Sequence, residues 1–361
     1  MIIKSLELEN FRNYDTLHID FDKGVNIFYG DNAQGKTNIL EAVYMSATTR
    51  SHKGSKDKDI INFKAEEAHI KTILDKEGLE RRVDMHLRKA RSKGIAVDKV
   101  RLKKATELLG LLNIVLFSPE DMAIIKNAPS ERRRFVDMEL CQLDEIYLYD
   151  LNNYNKIVNQ RNKLLKDIYF HPDYRDMIKI WDAQLLSYGV RIIKRRKEFT
   201  DRLNEIIEDI HAGLSGGREK LKIIYAPHVK AEEYEEKLKA SVEKDIRLKM
   251  TSTGPHRDDF VFISNGTDIR VFGSQGQQRT AALSLKLSEI ELVKKTAKDE
   301  PVLLLDDVLS ELDANRQNHL LNNIGGIQTI ITCTGLDDFV NNRFKYDKVF
   351  KVENGTVRSE N

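Results

Sequence analysis

Polar and apolar residues alternate along the first thirty positions of the chain, and this pattern predicts three strands. The apolar positions of the successive strands are Ile3, Leu6 and Leu8, then Leu17, Ile19 and Phe21, then Val25, Ile27 and Tyr29. The third predicted strand ends at Gly30, and from Asn38 to about Thr48 apolar residues recur at helical spacing. The N-terminal part therefore predicts a strand, a short glycine-bearing loop and a helix, in that order.

The middle of the chain has a helical period instead. Beyond Pro129, apolar residues recur every three or four positions as far as Leu165, and a second run extends from Ile178 to Ile210 after Pro172. A single helix from about residue 130 to 168 would be about 55 to 60 Å long. Two long helices in succession favour an antiparallel pair, and we expect an arm that projects from a core.

Strand patterns return beyond residue 249. Residues 260–263 and 302–305 form apolar runs, a helix is predicted from 275 to 295, and residues 329–332 predict a last strand. The simplest assembly pairs the N-terminal strands with the C-terminal ones in one sheet. We therefore predict an α/β core built from residues 1–125 and 250–361, with a helical lobe inserted at 126–249.

Composition excludes several classes of protein. The chain has 361 residues, of which 40% are hydrophobic, and no apolar run approaches the roughly 18 residues of a membrane helix. Its start is strand-like and unlike a signal peptide, so we expect a cytoplasmic location. Two cysteines, Cys141 and Cys333, are too few for a disulfide framework or a cysteine-based zinc site.

The loop after the third strand matches the phosphate-binding pattern GxxxxGK[ST], and the flanking strand and helix are the context that this pattern requires. Its glycines allow backbone N–H groups to surround a phosphate, the lysine reaches the β- and γ-phosphate oxygens, and the threonine hydroxyl can bind Mg²⁺. We predict that the nucleotide is bound by Gly30, Asp31, Asn32, Ala33, Gln34, Gly35, Lys36, Thr37 and Asn38.

A second motif narrows the class to an ATPase. The apolar run Val302–Leu305 ends in two carboxylates, Asp306 and Asp307. Asp306 is suited to holding a Mg²⁺-bound water together with Thr37, and Asp307 to orienting the attacking water. Two acids after a strand can also simply cap a turn, although a phosphate loop in the same chain weighs against that alternative.

A third motif, Ser274-Gln275-Gly276-Gln277-Gln278-Arg279, precedes the predicted helix at 275. The free N–H groups of that helix start, together with Ser274, Gly276 and Gln277, predict a second anion-binding site. From the residues alone, a plain N-cap role for Ser274 is about equally favoured.

The order of phosphate loop, serine-led helix start, acidic strand end and Ser310-Glu311-Leu312-Asp313 resembles the ABC-type ATPases. That resemblance implies a P-loop ATPase head with a mixed sheet plus an inserted α-helical arm lobe. It also implies that Ser274 acts catalytically with Lys36 and Asp307, because in that family the signature serine and glycine of one subunit bind the γ-phosphate held by the other. ATP and Mg²⁺ are then the cofactors, and an ATP-dependent homodimer is the active state.

Within that superfamily the chain resembles the RecF family over nearly its whole length. The segments that carry the likeness are Leu8–Tyr14 (LENFRNY), Phe117–Asp121 (FSPED), Arg132–Phe135 (RRRF) and Thr253–Asp259 (TGPHRDD). The resemblance implies that Arg12 lies near the nucleotide. It further implies a weak, DNA-stimulated ATPase of recombinational repair and replication restart that binds single- and double-stranded DNA and junctions, supports recombinase loading with RecO-like and RecR-like partners, and takes part in the SOS response.

Two alternatives remain open from the sequence. A structural DNA-tethering head like those of SMC and Rad50 proteins shares the motifs, but those proteins carry hundreds of coiled-coil residues where this chain has an insert of about 125. A transporter nucleotide-binding subunit also shares them, but no coupling surface for membrane helices is visible. The position after the last strand reads Thr332-Cys333-Thr334 where many relatives have histidine, so hydrolysis is expected to be slow and Thr334 or a neighbour is the candidate γ-phosphate sensor.

Charge is uneven along the chain. The net charge is only +2, but residues 81–104 carry ten Lys and Arg against two acids. Phosphate contact without base recognition fits this tract, although a solvated loop is the competing interpretation. The predicted DNA-binding residues are Arg88, Lys89, Arg91, Lys93, Arg101, Lys103 and Lys104.

Three further basic or histidine-bearing groups are ambiguous. We expect the run from Arg191 to Lys197 to be a solvent-facing side of the arm. Residues 132–134 can bind DNA or brace the two lobes, and His256 and Arg257 can contact nucleotide or pack between lobes.

Overall fold

The computed structural model describes residues 1–336 and 345–360. The chain divides into two compact units, one formed by residues 1–121 and 289–361 and the other by residues 122–288. Among the described residues, the first unit contains two sheets and the second unit contains one, and each unit has its own buried residues.

The first unit begins with strands and one long helix. In chain order these elements are β1 (Ile2–Phe11), β2 (Tyr14–Asp20), β3 (Val25–Tyr29), α1 (Lys36–Thr48), α2 (Asp57–Ile60), β4 (Glu67–Lys76), β5 (Leu79–Arg88), β6 (Gly94–Val97), β7 (Val100–Arg101) and β8 (Ile114–Phe117). The strand, loop and helix predicted around Gly30 are therefore present as β3 and α1.

The second unit contains most of the helices. Its elements are α3 (Met122–Lys126), α4 (Pro129–Leu143), α5 (Glu145–Asp167), α6 (Ile178–Ser215), β9 (Leu221–Ala226), α7 (Tyr234–Ala240), α8 (Val242–Leu248), β10 (Asp259–Ser264), β11 (Thr267–Asp268), α9 (Ile269–Phe272) and the start of α10 (Gln275–Ala297). The chain then completes the first unit with β12 (Val302–Asp306), α11 (Ala314–Asn323), β13 (Thr329–Cys333), β14 (Lys348–Glu353) and β15 (Thr356–Glu360).

Two sheets form the first unit within the described residues. One is antiparallel, in the order β2-β1-β4-β5-β6-β7, and the other is mixed, in the order β15-β14-β3-β13-β12-β8. The prediction of a single sheet is therefore corrected: β3 pairs in parallel with β13 and β14, whereas β1 and β2 lie in the antiparallel sheet. The alternation in β1 and β2 reflects one solvated face, and the continuous apolar run in β12 reflects burial on both faces.

Buried side chains from both sheets and from α1 form the core of this unit. Ile39, Leu40 and Val43 on α1 are fully buried, as are Leu304 on β12 and Ile330 on β13. Helix α1 therefore has its place because its apolar face covers the parallel strands, and the loop that precedes it lies at their carboxyl ends.

The predicted long helix of the arm is broken in the structure. Helix α4 ends at Leu143, and Asp144 adopts an extended backbone with φ −141° and accepts hydrogen bonds from the N–H groups of Ile146 and Tyr147 as the N-cap of α5. The apolar residues keep the same helical spacing on both sides of the break. An N-cap changes the direction of the chain but leaves this spacing intact, which is why the pattern predicted a single helix. Helix α6 is continuous over 38 residues and ends at Gly216 in a left-handed conformation.

Helices α5 and α6 pack antiparallel within the second unit, as predicted for the two helical runs. Asp150 binds Arg191 near the start of α5, and Arg161 binds Asp182 near its end. As the residue number increases along α5, the number of the partner residue on α6 decreases, as expected for antiparallel helices.

The boundary between the units also differs from the predicted one. The second unit extends to residue 288, whereas the predicted helical lobe ended at 249. The reason is strand pairing: β10 is antiparallel to β9 and to β11, so the segment after residue 249 completes a sheet inside the second unit. In the described part of the chain, no helix has the length and apolarity needed to cross a lipid bilayer.

Candidate functional site

The phosphate loop follows β3, and two of its glycines are required by geometry. Gly30 has φ +151°, and a Cβ there would lie 2.3 Å from the Val352 carbonyl oxygen. Gly35 has φ +115°, and a Cβ there would lie 2.6 Å from the Asn13 side chain and 2.7 Å from the Tyr14 hydroxyl. No L side chain fits at either position, so these glycines fix a loop whose backbone turns tightly into α1.

The loop opens on the N-terminus of α1. Gly35 is the N-cap, and within the described residues no side chain caps this helix start. The first-turn N–H groups of an α-helix have no intrahelical acceptor, so they present positive dipole ends to an anion. Asn38 is held at this turn by its side-chain bond to Asn13, at 2.8 Å, and Asn13 in turn donates to the Gln34 carbonyl, at 3.0 Å.

Lys36 lies inside this loop. Its Nζ donates to the carbonyl oxygens of Gly30, at 2.5 Å, and of Asp31, at 2.8 Å. Burial lowers the pKa of Lys36, and the carboxylate of Asp307 opposes that shift. The ammonium group therefore lies inside the loop, and its contact with a phosphate stays a prediction.

Thr37 and Asp306 meet at the end of β12. The Thr37 hydroxyl donates to Asp306 Oδ1 at 2.8 Å, and the Thr332 hydroxyl on β13 donates to the same oxygen at 2.8 Å. Hydroxyl and carboxylate oxygens are the ligands that Mg²⁺ prefers. This pair therefore fits the magnesium site predicted from the sequence.

Asp307 has a strained backbone. Its φ is +52°, a left-handed value that is uncommon for a residue other than glycine, and its N–H bonds to the Thr332 carbonyl and hydroxyl oxygens. The Ser310 hydroxyl lies 2.8 Å from the Asp307 carbonyl oxygen and 3.2 Å from its carboxylate oxygen Oδ1. Strain of this kind is found at functional sites because the surroundings hold a side chain in a defined direction. Such a direction suits the predicted role of Asp307 in orienting water.

The sequence did not indicate His52, which lies beside Asp306. The His52 Nε2 atom is 4.0 Å from Asp306 Oδ2, and the imidazole is 6% exposed. Burial lowers the pKa of His52, and the Nδ1 atom has no hydrogen-bond partner in the described part of the structure. A single histidine outside any motif gives no signal, and only the fold brings it to the carboxylate.

Arg12, predicted to lie near the nucleotide, is engaged by protein groups. Its guanidinium binds both oxygens of Glu41, at 2.7 and 2.8 Å, and also the Ser55 hydroxyl and the Asp59 carbonyl. Burial would raise the pKa of the Glu41 carboxyl, but hydrogen bonds from Arg12 and Ser51 outweigh it and the net shift is downward. Arg12 therefore anchors the end of β1 to α1, and its contact with a nucleotide stays a prediction.

The serine-led helix start belongs to the second unit. Ser274 and Gln277 form a capping box, in which the Ser274 hydroxyl oxygen accepts from the Gln277 N–H at 3.2 Å and the Gln277 carboxamide oxygen accepts from the Ser274 N–H at 2.9 Å. Ser274 and Gly276 are exposed. Both alternatives from the sequence are thus compatible with the structure, since Ser274 caps the helix and also faces solvent.

The basic tract separates into two groups. Arg88, Lys89 and Lys93 have protein partners: Arg88 contacts His86 and Glu67, Lys89 contacts Glu66, and Lys93 binds Asp57 and the Thr49 carbonyl. The remaining members are exposed and make no side-chain hydrogen bond or ion pair within residues 1–336 and 345–360; they are Arg91, Arg101, Lys103 and Lys104.

Two other basic runs are interior in part. Arg132 is 1% exposed and binds both oxygens of Asp259. Arg196 is also 1% exposed and binds Asp258 and Asp137, which corrects the expectation that the whole run 191–197 faces solvent. A run of like charges on a helix passes through every face, so one member in about four points inward.

His256 packs inside the second unit. Its Nδ1 atom is 2.8 Å from the Tyr154 hydroxyl, and its Nε2 atom is 3.0 Å from the Thr251 carbonyl. Burial lowers the pKa of His256 to about 4. These contacts support a packing role and explain why a histidine occurs in a buried turn.

One group of potential metal ligands lies on the solvent face of the antiparallel sheet, formed by Glu67, His69 and His86. Arg88 donates to His86 Nδ1 at 2.6 Å, which places the ring hydrogen on Nε2, and Nε2 lies 2.5 Å from Glu67. The imidazole and the carboxylate are therefore already joined to each other, and they do not form an open ligand set.

A family model described as RecF/RecN/SMC N terminal domain matches residues 2–358. The DNA replication and repair protein RecF of Agathobacter rectalis is 62% identical over 357 residues, which are 99% of each chain. The protein of the same name from Clostridium acetobutylicum is 45% identical over 365 residues, again 99% of each chain.

Solved structures agree with these relatives. One described as the recombination mediator protein RecF with ATP in the RecFOR pathway aligns with a TM-score of 0.92 at 37% identity, over 99% of this chain and 97% of that one. The Smc head domain of Pyrococcus furiosus aligns with a TM-score of 0.58 at 17% identity, over 99% and 95% of the two chains, and this likeness concerns the fold alone.

Proposed function

Because the chain belongs to the RecF family, we propose that it is an ATP-dependent DNA-binding protein of recombinational repair and replication restart. Two copies close around two ATP molecules, and the closed dimer holds DNA. The phosphate loop of one copy binds the nucleotide, and Ser274 and Gly276 of the other complete the site around the γ-phosphate.

The 2.8 Å contact between Thr37 and Asp306, beside the helix start at Gly35 that no side chain among the described residues caps, carries this proposal. Lys36, the loop backbone and Asn38 hold the triphosphate, while Thr37 and Asp306 hold Mg²⁺. Magnesium supplies charge neutralisation on the phosphate oxygens. Asp307, directed by its left-handed backbone and by Ser310, orients the attacking water.

The exposure of the Ser274 helix start supports the shared site. Ser274 and Gly276 are exposed although most of the rest of α10 is buried, so an anion on another molecule can reach the first turn of this helix. A phosphate there would be held by helix-end dipoles and by the serine hydroxyl.

Slow turnover is part of the proposal. Thr334 directly follows β13, where many ABC-type relatives have histidine, and a hydroxyl cannot carry positive charge toward a developing phosphate anion. We therefore expect a weak ATPase that DNA stimulates, in which ATP serves mainly to close the dimer.

The proposal extends to the partners of the protein. The four exposed basic residues of the tract contact the phosphates of single- and double-stranded DNA or of their junctions, without base recognition. The solved relative is described as a mediator in the RecFOR pathway. On that ground we infer RecO-like and RecR-like partners, a role in recombinase loading and a part in the SOS response.

Light scattering with and without ATP tests the shared site. The wild-type chain should dimerise only with ATP, Asp307→Asn should bind ATP and remain dimeric because hydrolysis is blocked, and Lys36→Arg should lose productive ATP use. A matched control is Asp201→Asn, which removes an exposed carboxylate on α6 that is paired with Lys197 and lies outside the proposed nucleotide contacts. An Asp307→Asn variant that binds ATP and stays monomeric would contradict the proposal.

A further inference from the structure

A line of hydrogen bonds extends from the start of α10 into the interior of the second unit. The Gln277 Nε2 atom donates to Glu219 Oε1 at 3.2 Å. The other oxygen of that carboxylate, Oε2, lies 3.3 Å from His211 Nε2, and His211 Nδ1 lies 2.8 Å from the Ser284 hydroxyl oxygen. The line joins the capping box at Ser274 to a histidine at the end of α6.

Glu219 determines which way the Gln277 carboxamide points. The carboxamide oxygen accepts from the Ser274 N–H, and the carboxamide nitrogen donates to Glu219. If the group were turned over, two N–H donors would face each other at Ser274 and two oxygens would face each other at Glu219. An ionised carboxylate only accepts hydrogen bonds, so it stabilises one orientation of Gln277 and disfavours the other.

His211 in turn holds the carboxylate. The imidazole is 1% exposed, and Glu219 is 21% exposed. Burial lowers the pKa of His211, and its hydrogen bond to Glu219 opposes that shift. Glu219 follows the two left-handed glycines Gly216 and Gly217, so without this contact little would fix its side chain.

The grouping of serine, histidine and glutamate is not a hydrolytic triad. Ser284 is fully buried in the middle of α10, and its hydroxyl lies 2.7 Å from the Thr280 carbonyl of the same helix. A nucleophile must reach a substrate, and this one is covered on every side. These residues therefore hold one another in position, and they do not catalyse a reaction.

We propose that Glu219 and His211 are positioning residues, which fix the Gln277 carboxamide and thereby hold Ser274 in the geometry that receives the γ-phosphate of a second copy. This inference rests on the proposed function of Ser274. With its oxygen used by the Gln277 N–H, the Ser274 hydroxyl keeps its hydrogen free, since no acceptor for it lies among the described residues. The fixed capping box thus directs an O–H donor outward, toward an incoming phosphate.

The consequence is a separation of two properties. ATP binding by one copy depends on the phosphate loop, which belongs to the first unit, whereas Glu219 and His211 belong to the second. Closure of the dimer depends on the Ser274 face. Loss of Glu219 should therefore weaken ATP-dependent dimerisation while leaving the ATP affinity of the monomer unchanged.

The test compares Glu219→Ala with wild type and with Glu208→Ala, in the full-length protein. Glu208 is an exposed glutamate on α6 that lies 4.0 Å from Lys220, so its loss gives the same charge change without touching Gln277. A non-hydrolysable ATP analogue and analytical ultracentrifugation give the dimer dissociation constant. We expect it to rise about 10- to 100-fold for Glu219→Ala, since a bond to a charged group is lost at each of two sites, and to stay unchanged for Glu208→Ala.

A double-mutant cycle separates positioning from general loss of structure. If Glu219 acts through Gln277, then Glu219→Ala adds little to Gln277→Ala, whereas two independent defects would add. Glu219→Gln should recover most of the dimerisation, because its side-chain oxygen still accepts from Gln277 and its amide group can donate to His211 Nε2.

The possible outcomes are distinguishable. Additive effects in the cycle, or normal dimerisation of Glu219→Ala, would overturn the positioning role while leaving the shared ATP site intact. A wild-type chain that binds the analogue and remains monomeric would instead overturn the proposed function itself. If Glu219→Ala does not fold, Gln277→Ala removes the carboxamide that Glu219 fixes, and a normal dimer in that variant contradicts the inference.

Discussion

At the scale of single residues, Thr332 joins the two carboxylates that follow β12. Its hydroxyl donates to Asp306 Oδ1 at 2.8 Å and accepts from the Asp307 N–H at 3.1 Å. One buried hydroxyl thus orients both the proposed Mg²⁺ ligand and the strained backbone of the residue proposed to orient water. Thr334, two positions later, is exposed.

Replacing Thr332 by valine keeps the shape of the side chain and removes the hydroxyl. We expect Thr332→Val to slow ATP hydrolysis about tenfold, because a buried carboxylate oxygen loses a donor, and to change ATP affinity little, because Lys36 and the loop are unaffected. Steady-state hydrolysis and nucleotide titration measure the two quantities. Thr334→Val is the matched control; slow hydrolysis in that variant with normal hydrolysis in Thr332→Val would assign the sensor role to Thr334 instead.

Sequence patterns identify the residues of the phosphate loop and Asp306 because the chemistry requires those types at fixed spacing. They do not identify His52 or Glu219. Neither belongs to a motif, and each reaches its partner only because separate strands or helices converge. Arg12 is the opposite case. Its motif was recognisable in the sequence and implied a position near the nucleotide, but in the structure its guanidinium binds Glu41.

At the scale of elements, the second unit depends on buried ionic contacts between helices and loops. Arg161 on α5 is fully buried and binds Asp182 on α6 and Asp245 on α8. Arg196 on α6 binds the carboxylate of Asp258, immediately before β10. Periodicity predicted α5 and α6 from their apolar residues, but these arginines are spaced like surface residues, so the pattern could not show that they are interior.

The turn that carries His256 gives the second unit a dependence on pH. Burial lowers the pKa of His256 to about 4, whereas the unfolded chain has the ordinary value near 6.5. Between these values the unfolded state binds a proton that the folded state does not, so the free energy of unfolding falls as pH falls. For this residue alone, the free energy of unfolding falls by about 2 kcal/mol between pH 7 and 4.5.

Replacing His256 by asparagine should remove that part of the loss. The single tryptophan of the chain, Trp181, lies on α6, so its fluorescence during urea unfolding reports on the second unit. The free energy of unfolding of the wild type, minus that of His256→Asn, should fall by about 2 kcal/mol from pH 7 to 4.5. Other buried histidines, His211 among them, contribute equally to both proteins and cancel in this difference. An unchanged difference would show that His256 does not titrate between the two states.

At the scale of the whole molecule, the fold class could be predicted because ABC-type motifs occur in a fixed order along the chain, and the family and structural relatives agree with it. The division into units could not, because it depends on the pairing of β9 with β10 across two helices. Apolar strand patterns indicate that a segment is in a sheet without indicating which sheet.

The distribution of unpaired charge leads to the last prediction, on DNA. The net charge of +2 gives no general attraction to a polyanion, so affinity must come from local groups. Arg101, Lys103 and Lys104 are exposed and unpaired within the described residues, whereas Lys230, Lys237 and Lys239 are paired with Glu233 or Glu235. Changing either set of three to alanine removes the same charge.

The two triple variants should therefore differ in the salt dependence of DNA binding. Each phosphate contact contributes about 0.9 to the slope of log affinity against log salt, so loss of Arg101, Lys103 and Lys104 should reduce the slope by about 2 to 3. Loss of the paired lysines should leave it unchanged, because their charge is already compensated. Fluorescence anisotropy with a duplex and a single strand, with ATP present, measures both. If both variants lower the slope equally, DNA binding depends on net charge and not on the basic tract. If neither variant lowers the slope, the basic tract does not contact DNA.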